Sequence, residues 1–300
     1  MHSTARSSSD VTRDWIRALE TTKRLLESST PGLQAIVQAQ ADNEPERVAL
    51  IGNHCTWSYA ELAGRVNQYS RWALKQGLQA GDVVGLLMSN QLEFVAVWLG
   101  LTQVGCVTAL LNPQLGTASL AHAIDGVAVR VAIGESSILS KHEPDRITLN
   151  CHWWEHGGSH RFARVDTAVA DLPSESLTGG ERRPATLRAP ALLVFTSGTT
   201  GYPKAVNITH SRILEWSGWF AGMMNATHQD RLYNCLPMYH SIGGIAAIGS
   251  MLVAGGSTVI RDRFSASQFW PDVVKSEATI DVAPNFYPLA TGAWRLNSLV

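Results

Sequence analysis

The chain has 300 residues, 45% of them hydrophobic and 16% charged, which is enough to bury a sizeable core in one large or two ordinary domains. Its 24 basic and 25 acidic residues leave a formal net charge of -1, which excludes a global field that would draw in nucleic acid or an anionic membrane. The four cysteines, Cys55, Cys106, Cys151 and Cys235, are far apart and form no C-x-x-C pair, which fits reduced core or surface thiols in a cytoplasmic protein better than a disulfide scaffold.

The first residues, "MHSTARSSSDVTR", contain no apolar run, so they read as a short disordered start and neither a secretory signal nor an anchor. Residues 11–29 place Val11, Trp15, Ile16, Leu19, Leu25 and Leu26 near helical spacing, predicting an amphipathic helix with those six as its apolar face. "RVALIG" then reads as a short strand. Ser58 with Glu61 three residues later is a capping box, opening a helix with Leu62, Val66, Tyr69 and Ala73 on one face that stops near Gly77. Next come a strand "VVGLLM", a helix over 91–104, a strand "CVTALL", a short helix over 117–124 and a strand "VRVAI".

Two uncharged runs, 94–111 and 242–260, approach the length of a membrane span. Gly105 divides the first and five glycines interrupt the second, so each is read as a buried helix followed by a strand. Apolar strands without alternation, separated by helices, are strands covered on both faces, as in a mostly parallel α/β sheet. Residues 170–190 are polar, rich in proline and without period, and read as a surface linker.

Chemistry concentrates after the apolar run "LLVF". Thr196, Ser197, Gly198, Thr199, Thr200 and Gly201 combine permissive backbone with hydroxyl donors, and Lys204 adds a point charge, the ingredients of a polyphosphate cradle. The G-x-x-x-x-G-K-[ST] nucleotide loop does not fit: counted from Gly198, the second glycine falls on Pro203 and the hydroxyl after the lysine is Ala205.

The segment "TSGTTGYPK", 196–204, instead resembles the phosphate-loop signature of the AMP-forming adenylating superfamily. The stretches "WSYAELAGRVNQYSRWALKQG" and "LPMYHSIGGIAAIGSMLVAGG" are similar to its fatty acid transport protein and very-long-chain acyl-CoA synthetase branch. The resemblance covers about 52–280 and is weakest between 136 and 190. It implies mostly parallel sheets flanked by helices, as an incomplete N-terminal domain of an adenylate-forming enzyme. The expected organisation is a helical segment over 1–30, a partial adenylation domain over 31–280, an atypical tail over 281–300, and no C-terminal lid domain.

The implied activity is a fatty-acid:CoA ligase using ATP, Mg2+ and coenzyme A, cytoplasmic, with peripheral membrane contact kept open. The loop residues would hold nucleotide phosphates, with Thr196 beside the metal. Tyr239 and His240 would face the carboxylate substrate, His240 having helix capping as its alternative role. Several later parts of the family pattern are not found in the sequence: a Tyr-Gly-x-Thr-Glu segment, a ribose-binding aspartate and a lid-domain lysine. A truncated or frameshifted end, and an isolated chain that is poorly soluble and inactive, are the matching expectations. The rival readings are an adenylating enzyme for another carboxylate and a non-catalytic nucleotide- or acyl-binding module.

Two decoys complete the reading. "HWWEH", 152–156, has the H-x-x-E-H order of some zinc proteases, but Gly157 and Gly158 deny it a continuing helix. Trp153, Trp154, Trp216 and Trp219 lack a basic stripe around them, so burial or an acyl-facing role is expected in place of base stacking.

Overall fold

The computed structural model describes residues 8–28, 32–142, 147, 151–158, 161–183, 186–196, 202–282 and 294–295. In chain order, α1 (Ser8–Glu27) and α2 (Leu33–Asn43) precede β1 (Val48–Ile51), β2 (Thr56–Ser58) and α3 (Tyr59–Lys75). Then follow β3 (Val83–Leu87), α4 (Leu92–Gln103), β4 (Val107–Leu110), α5 (Thr117–Gly126), β5 (Val131–Glu135) and α6 (Ser136–Leu139). The middle of the chain supplies β6 (His152–His156), β7 (Ala163–Arg164), α7 (Val165–Ala170), β8 (Pro190–Thr196), β9 (Lys204–Thr209) and α8 (His210–Met224). After β10 (Arg231–Asn234), a π-helical turn (Ser241–Ala247) runs into α9 (Ile248–Ala254), followed by β11 (Ser257–Ile260), α10 (Phe269–Lys275), β12 (Ile280–Val282) and β13 (Trp294–Arg295).

The strands form two sheets, one of six in the order β13-β12-β10-β11-β1-β2 and one of seven in the order β7-β6-β5-β3-β4-β8-β9. Parallel pairing holds from β7 through β8 in the second sheet, and β9 closes it as an antiparallel hairpin with β8. Strand alternation explains the layers. Val84, Leu86 and Leu110 pack with α3 and α4 on one face, while Leu87, Val107 and Ala109 pack with Leu120, Ala123 and Ile124 of α5 on the other. The first cluster also takes in Ala49 and Leu50 of β1 and Ile260 of β11, so α2, α3 and α4 lie between the two sheets.

The expected helix starts and stops are observed. Ser58 accepts from the Glu61 amide at 3.2 Å and donates its own amide to the Glu61 carboxylate at 2.7 Å, and Gly77 turns with φ +70°. Both long uncharged runs break at glycines of positive φ, Gly105 and Gly255, into helix and strand. No helix among the described residues is long and apolar enough to cross a membrane.

Three expectations need correction or completion. In α1 the buried side is centred on Ala18, with Leu25 and Leu26 half-buried; Val11, Trp15, Ile16 and Leu19 are 43% to 58% exposed. The reason is close packing on α8, where a methyl added at Gly222 would lie 2.5 Å from the Ala18 Cα, so only small residues fit the seam. The linker has little regular structure but is strapped down. Arg71 donates to the Glu181 carboxylate at 2.9 and 3.1 Å and to the carbonyls of Pro173 and Glu175 at 2.7 Å, with Leu172 and Leu177 buried beneath. Of the tail, 283–293 and 296–300 lie outside the described residues, while β13 pairs antiparallel with β12.

Candidate nucleotide and acyl site

The hydroxyl-rich loop joins the two strands of the β8–β9 hairpin. Thr196 stands opposite Lys204 across the ladder, and its Oγ1 donates to the Lys204 carbonyl oxygen at 3.4 Å. Ser197, Gly198, Thr199, Thr200 and Gly201 lie outside the described residues. Lys204 opens β9, is exposed, and makes no ion pair among the described residues. Tyr202 stacks on His122 of α5, with ring centroids 4.2 Å apart and planes tilted 31°, so the exit of the loop leans on that helix. The return strand was missed by sequence reasoning. Its signal was present in the β-branched residues of "KAVNIT" and in Thr209, whose hydroxyl caps α8 by accepting from the Arg212 amide at 3.2 Å.

Tyr239 and His240 form a second pair on the turn after β10, with ring centroids 4.4 Å apart. The helix that begins at Ser241 receives no side-chain cap from His240, so capping does not account for this imidazole. The turn is fixed by backbone: the His240 amide donates to Pro237 at 3.1 Å and the Gly244 amide donates to His240 at 2.8 Å. A Cβ at Gly244 would fall 2.0 Å from the Met238 carbonyl oxygen, so helix start and turn are packed backbone on backbone. Burial raises the Tyr239 phenol and lowers the His240 imidazole from their ordinary values, which keeps both neutral near pH 7. Among the described residues no hydrogen bond or ring contact joins this pair to Thr196 or Lys204.

The two groups nonetheless share one edge of the molecule. Asn90, on the connector after β3, reaches the segments that follow β10 and β11: its Nδ2 donates to the carbonyls of Leu236 and Arg261 at 2.8 and 2.9 Å. The carboxyl ends of both sheets therefore meet at Asn90. β8 is two strands from β3, or about 10 Å at ordinary strand spacing. The connections after β3 and β4 also leave toward opposite faces of the sheet, the arrangement that opens a ligand crevice in α/β folds. A cavity of about 440 Å³ lies along this edge, with Asn53, Ser89, Glu135, His156 and Asp262 in its wall. Burial pushes the Glu135 carboxyl up, but hydrogen bonds from the Ser137 and Ser89 hydroxyls and the Ser89 amide outweigh it, and the net shift is downward.

The zinc-like segment is strand β6. His152 and His156 sit on one face of it, four residues and about 13 Å apart, too far for one ion. Glu155 points the other way and accepts from the Arg161 and Phe162 amides at 3.1 and 3.2 Å. Among the described residues no group of three or more histidines, cysteines or carboxylates could hold a metal. Trp153 is buried and Trp154, Trp216 and Trp219 are half-buried. Cys106, Cys151 and Cys235 are buried free thiols, each pushed up to about 12 first of all by burial, and Cys55 is exposed.

The model of a family described as "AMP-binding enzyme" matches residues 37–287. Long-chain fatty acid transport protein 1 of Rattus norvegicus is 32% identical over 255 residues, covering 82% of this chain and 39% of the relative. The chain thus spans about 39% of the length of that curated relative. Among solved structures, a long-chain-fatty-acid-CoA ligase from Archaeoglobus fulgidus superposes with a TM-score of 0.75 at 19% identity, over 85% of this chain and 52% of the other. The N-terminal domain of FACL13 from Mycobacterium tuberculosis gives 0.72 at 19%, over 87% and 67%. At these identities the superpositions speak for the fold.

Proposed function

The chain belongs to the AMP-binding enzyme family, and from that premise we propose that it supplies the nucleotide- and acyl-binding region of an ATP-dependent fatty-acid:CoA ligase acting on long or very long chains. Because it spans only 39% of a curated relative, the activity of a whole protein is part of the proposal. In this reaction a carboxylate oxygen attacks the α-phosphorus of ATP and pyrophosphate leaves; the thiol of coenzyme A then attacks the acyl carbon and AMP leaves. Charge gathers on phosphate oxygens throughout, so the protein's work is to position and to stabilise charge.

The single observation that carries this reading is the hairpin crossing, where Thr196 and Lys204 face each other at the carboxyl edge of a parallel sheet. That crossing supports a loop whose amides and hydroxyls, Thr196, Ser197, Gly198, Thr199, Thr200 and Gly201, surround phosphates with the Lys204 ammonium beside them. Mg2+ fits such a site through the Thr196 hydroxyl, which is exposed and has only a long contact to a carbonyl; the ion would supply charge neutralisation at the phosphates. The neutral His240 imidazole would hydrogen-bond the acid or adenylate, with Tyr239 packed against it. A cytoplasmic protein with peripheral membrane contact belongs to the same proposal.

Titration calorimetry with ATP tests it. Lys204→Ala is expected to weaken binding about tenfold or more, the usual loss for a charge-assisted contact. Affinity unchanged by the substitution would overturn the cradle. Acids of graded length and aryl acids, offered in competition, then define the substrate class, and a preference for aryl acids would exclude the fatty-acid assignment.

A further inference from the structure

We infer that Asn90 is a positioning residue for the Tyr239–His240 pair, tying it to the other sheet; the inference rests on the substrate-facing reading of that pair. Asn90 is only 7% exposed, and its side chain makes three hydrogen bonds. Two donated bonds reach the Leu236 and Arg261 carbonyls, and Oδ1 accepts from the Met238 amide at 2.9 Å. The turn that carries Tyr239 and His240 is thus gripped on both sides of Pro237 by one side chain from the other sheet. The second grip on the turn is local. Asn234 accepts from the Leu236 amide at 3.2 Å and donates to the Gly243 carbonyl at 2.8 Å, holding the turn to its own strand and helix.

Asn90 relates the turn to the part of the cavity wall that belongs to the other sheet. Its neighbour Ser89 donates its amide to Glu135 at 3.0 Å, and Gln91 donates its side-chain amide to the same carboxylate at 3.0 Å. A shift of the Ser89–Gln91 segment against Glu135 is therefore passed to the Tyr239–His240 turn through the Asn90 side chain. An asparagine suits this place because it offers two donors and an acceptor in one plane; aspartate keeps the shape and the acceptor but loses both donors.

Asn90→Ala and Asn90→Asp, made in the full chain, test the inference against the wild type. Calorimetry with palmitate and, separately, with ATP is combined with NMR of the Met238 amide exchange and the His240 ring resonances. Palmitate affinity should fall about tenfold or more in both variants while ATP affinity stays within about twofold. Met238 should exchange faster relative to the β10 amides in the alanine variant, and the His240 resonances should move in both. Unchanged palmitate affinity with unmoved His240 resonances overturns the inference. A parallel loss of ATP affinity, palmitate affinity and melting temperature also overturns it, since that is general structural damage. If the wild type takes up no palmitate while His240 still moves in the variants, the positioning role stands and the acyl-site reading fails.

Discussion

His210 shows at the scale of one residue how a buried position couples stability to pH. It opens α8, is 2% exposed, and its Nε2 has no partner among the described residues. Burial lowers its pKa from 6.5 to about 4. Between those values the unfolded chain binds a proton that the folded chain refuses, so this contribution is fully present above pH 6.5. It declines as pH falls toward 4, by about 1.4 kcal/mol per pH unit at most. His142 and His240 are lowered as well and act in the same direction. Urea unfolding at pH 7, 6, 5 and 4.5 should show stability falling through this window, with a shallower fall in His210→Leu. An identical slope in the variant would show that His210 is protonated in the fold. Glu135, held below the ordinary carboxylate value, adds its loss only under more acid conditions.

At the scale of elements, helix α1 shows what periodicity conveys and what it leaves out. Spacing identifies the apolar arc, and a helix duly forms over Ser8–Glu27. Spacing does not say which part of the arc meets a partner, because that depends on where another helix offers small residues. Here Gly218 and Gly222 of α8 accept Thr22 and Ala18, and the bulky Val11, Trp15 and Leu19 are left on the open flank. Gly222→Ala should therefore wedge the helices apart at a cost of about 1–3 kcal/mol. It should also loosen the Trp15–Trp219 edge contact, whose rings are 4.8 Å apart, and tryptophan fluorescence with limited proteolysis of α1 would read it. A variant with unchanged emission and protease resistance would mean that α1 is held elsewhere. The sequence was most legible where one residue decides a local conformation: the Ser58–Glu61 box, and the positive-φ glycines Gly77, Gly105 and Gly255. It was least legible at β6 and β9, short strands whose identity depends on pairing with β5 and β8.

For the whole molecule, the decisive pairing joins residues distant in sequence. β1 pairs in parallel with β11, with Leu50 beside Thr258, so no local pattern could reveal that the chain's early strand completes a sheet built mostly from its end. That connection, with α2, α3 and α4 between the sheets, gives both sheets one buried cluster. Trp98 of α4 is fully buried in it, and truncating such a side chain costs about 3–5 kcal/mol because the cavity left behind cannot fully close. Since the cluster draws on β1 and β11 of one sheet and on β3, β4 and β8 of the other, Trp98→Ala should lower the stability of both by the same amount. Hydrogen exchange of β4 and β11 amides in graded denaturant makes the comparison, and the two sets of amides should shift together. If β4 amides lost protection while β11 amides kept theirs, the sheets would be separate cooperative units. The contact of Asn90 with the segments after β10 and β11 would then be a docking contact between them and not part of a common core.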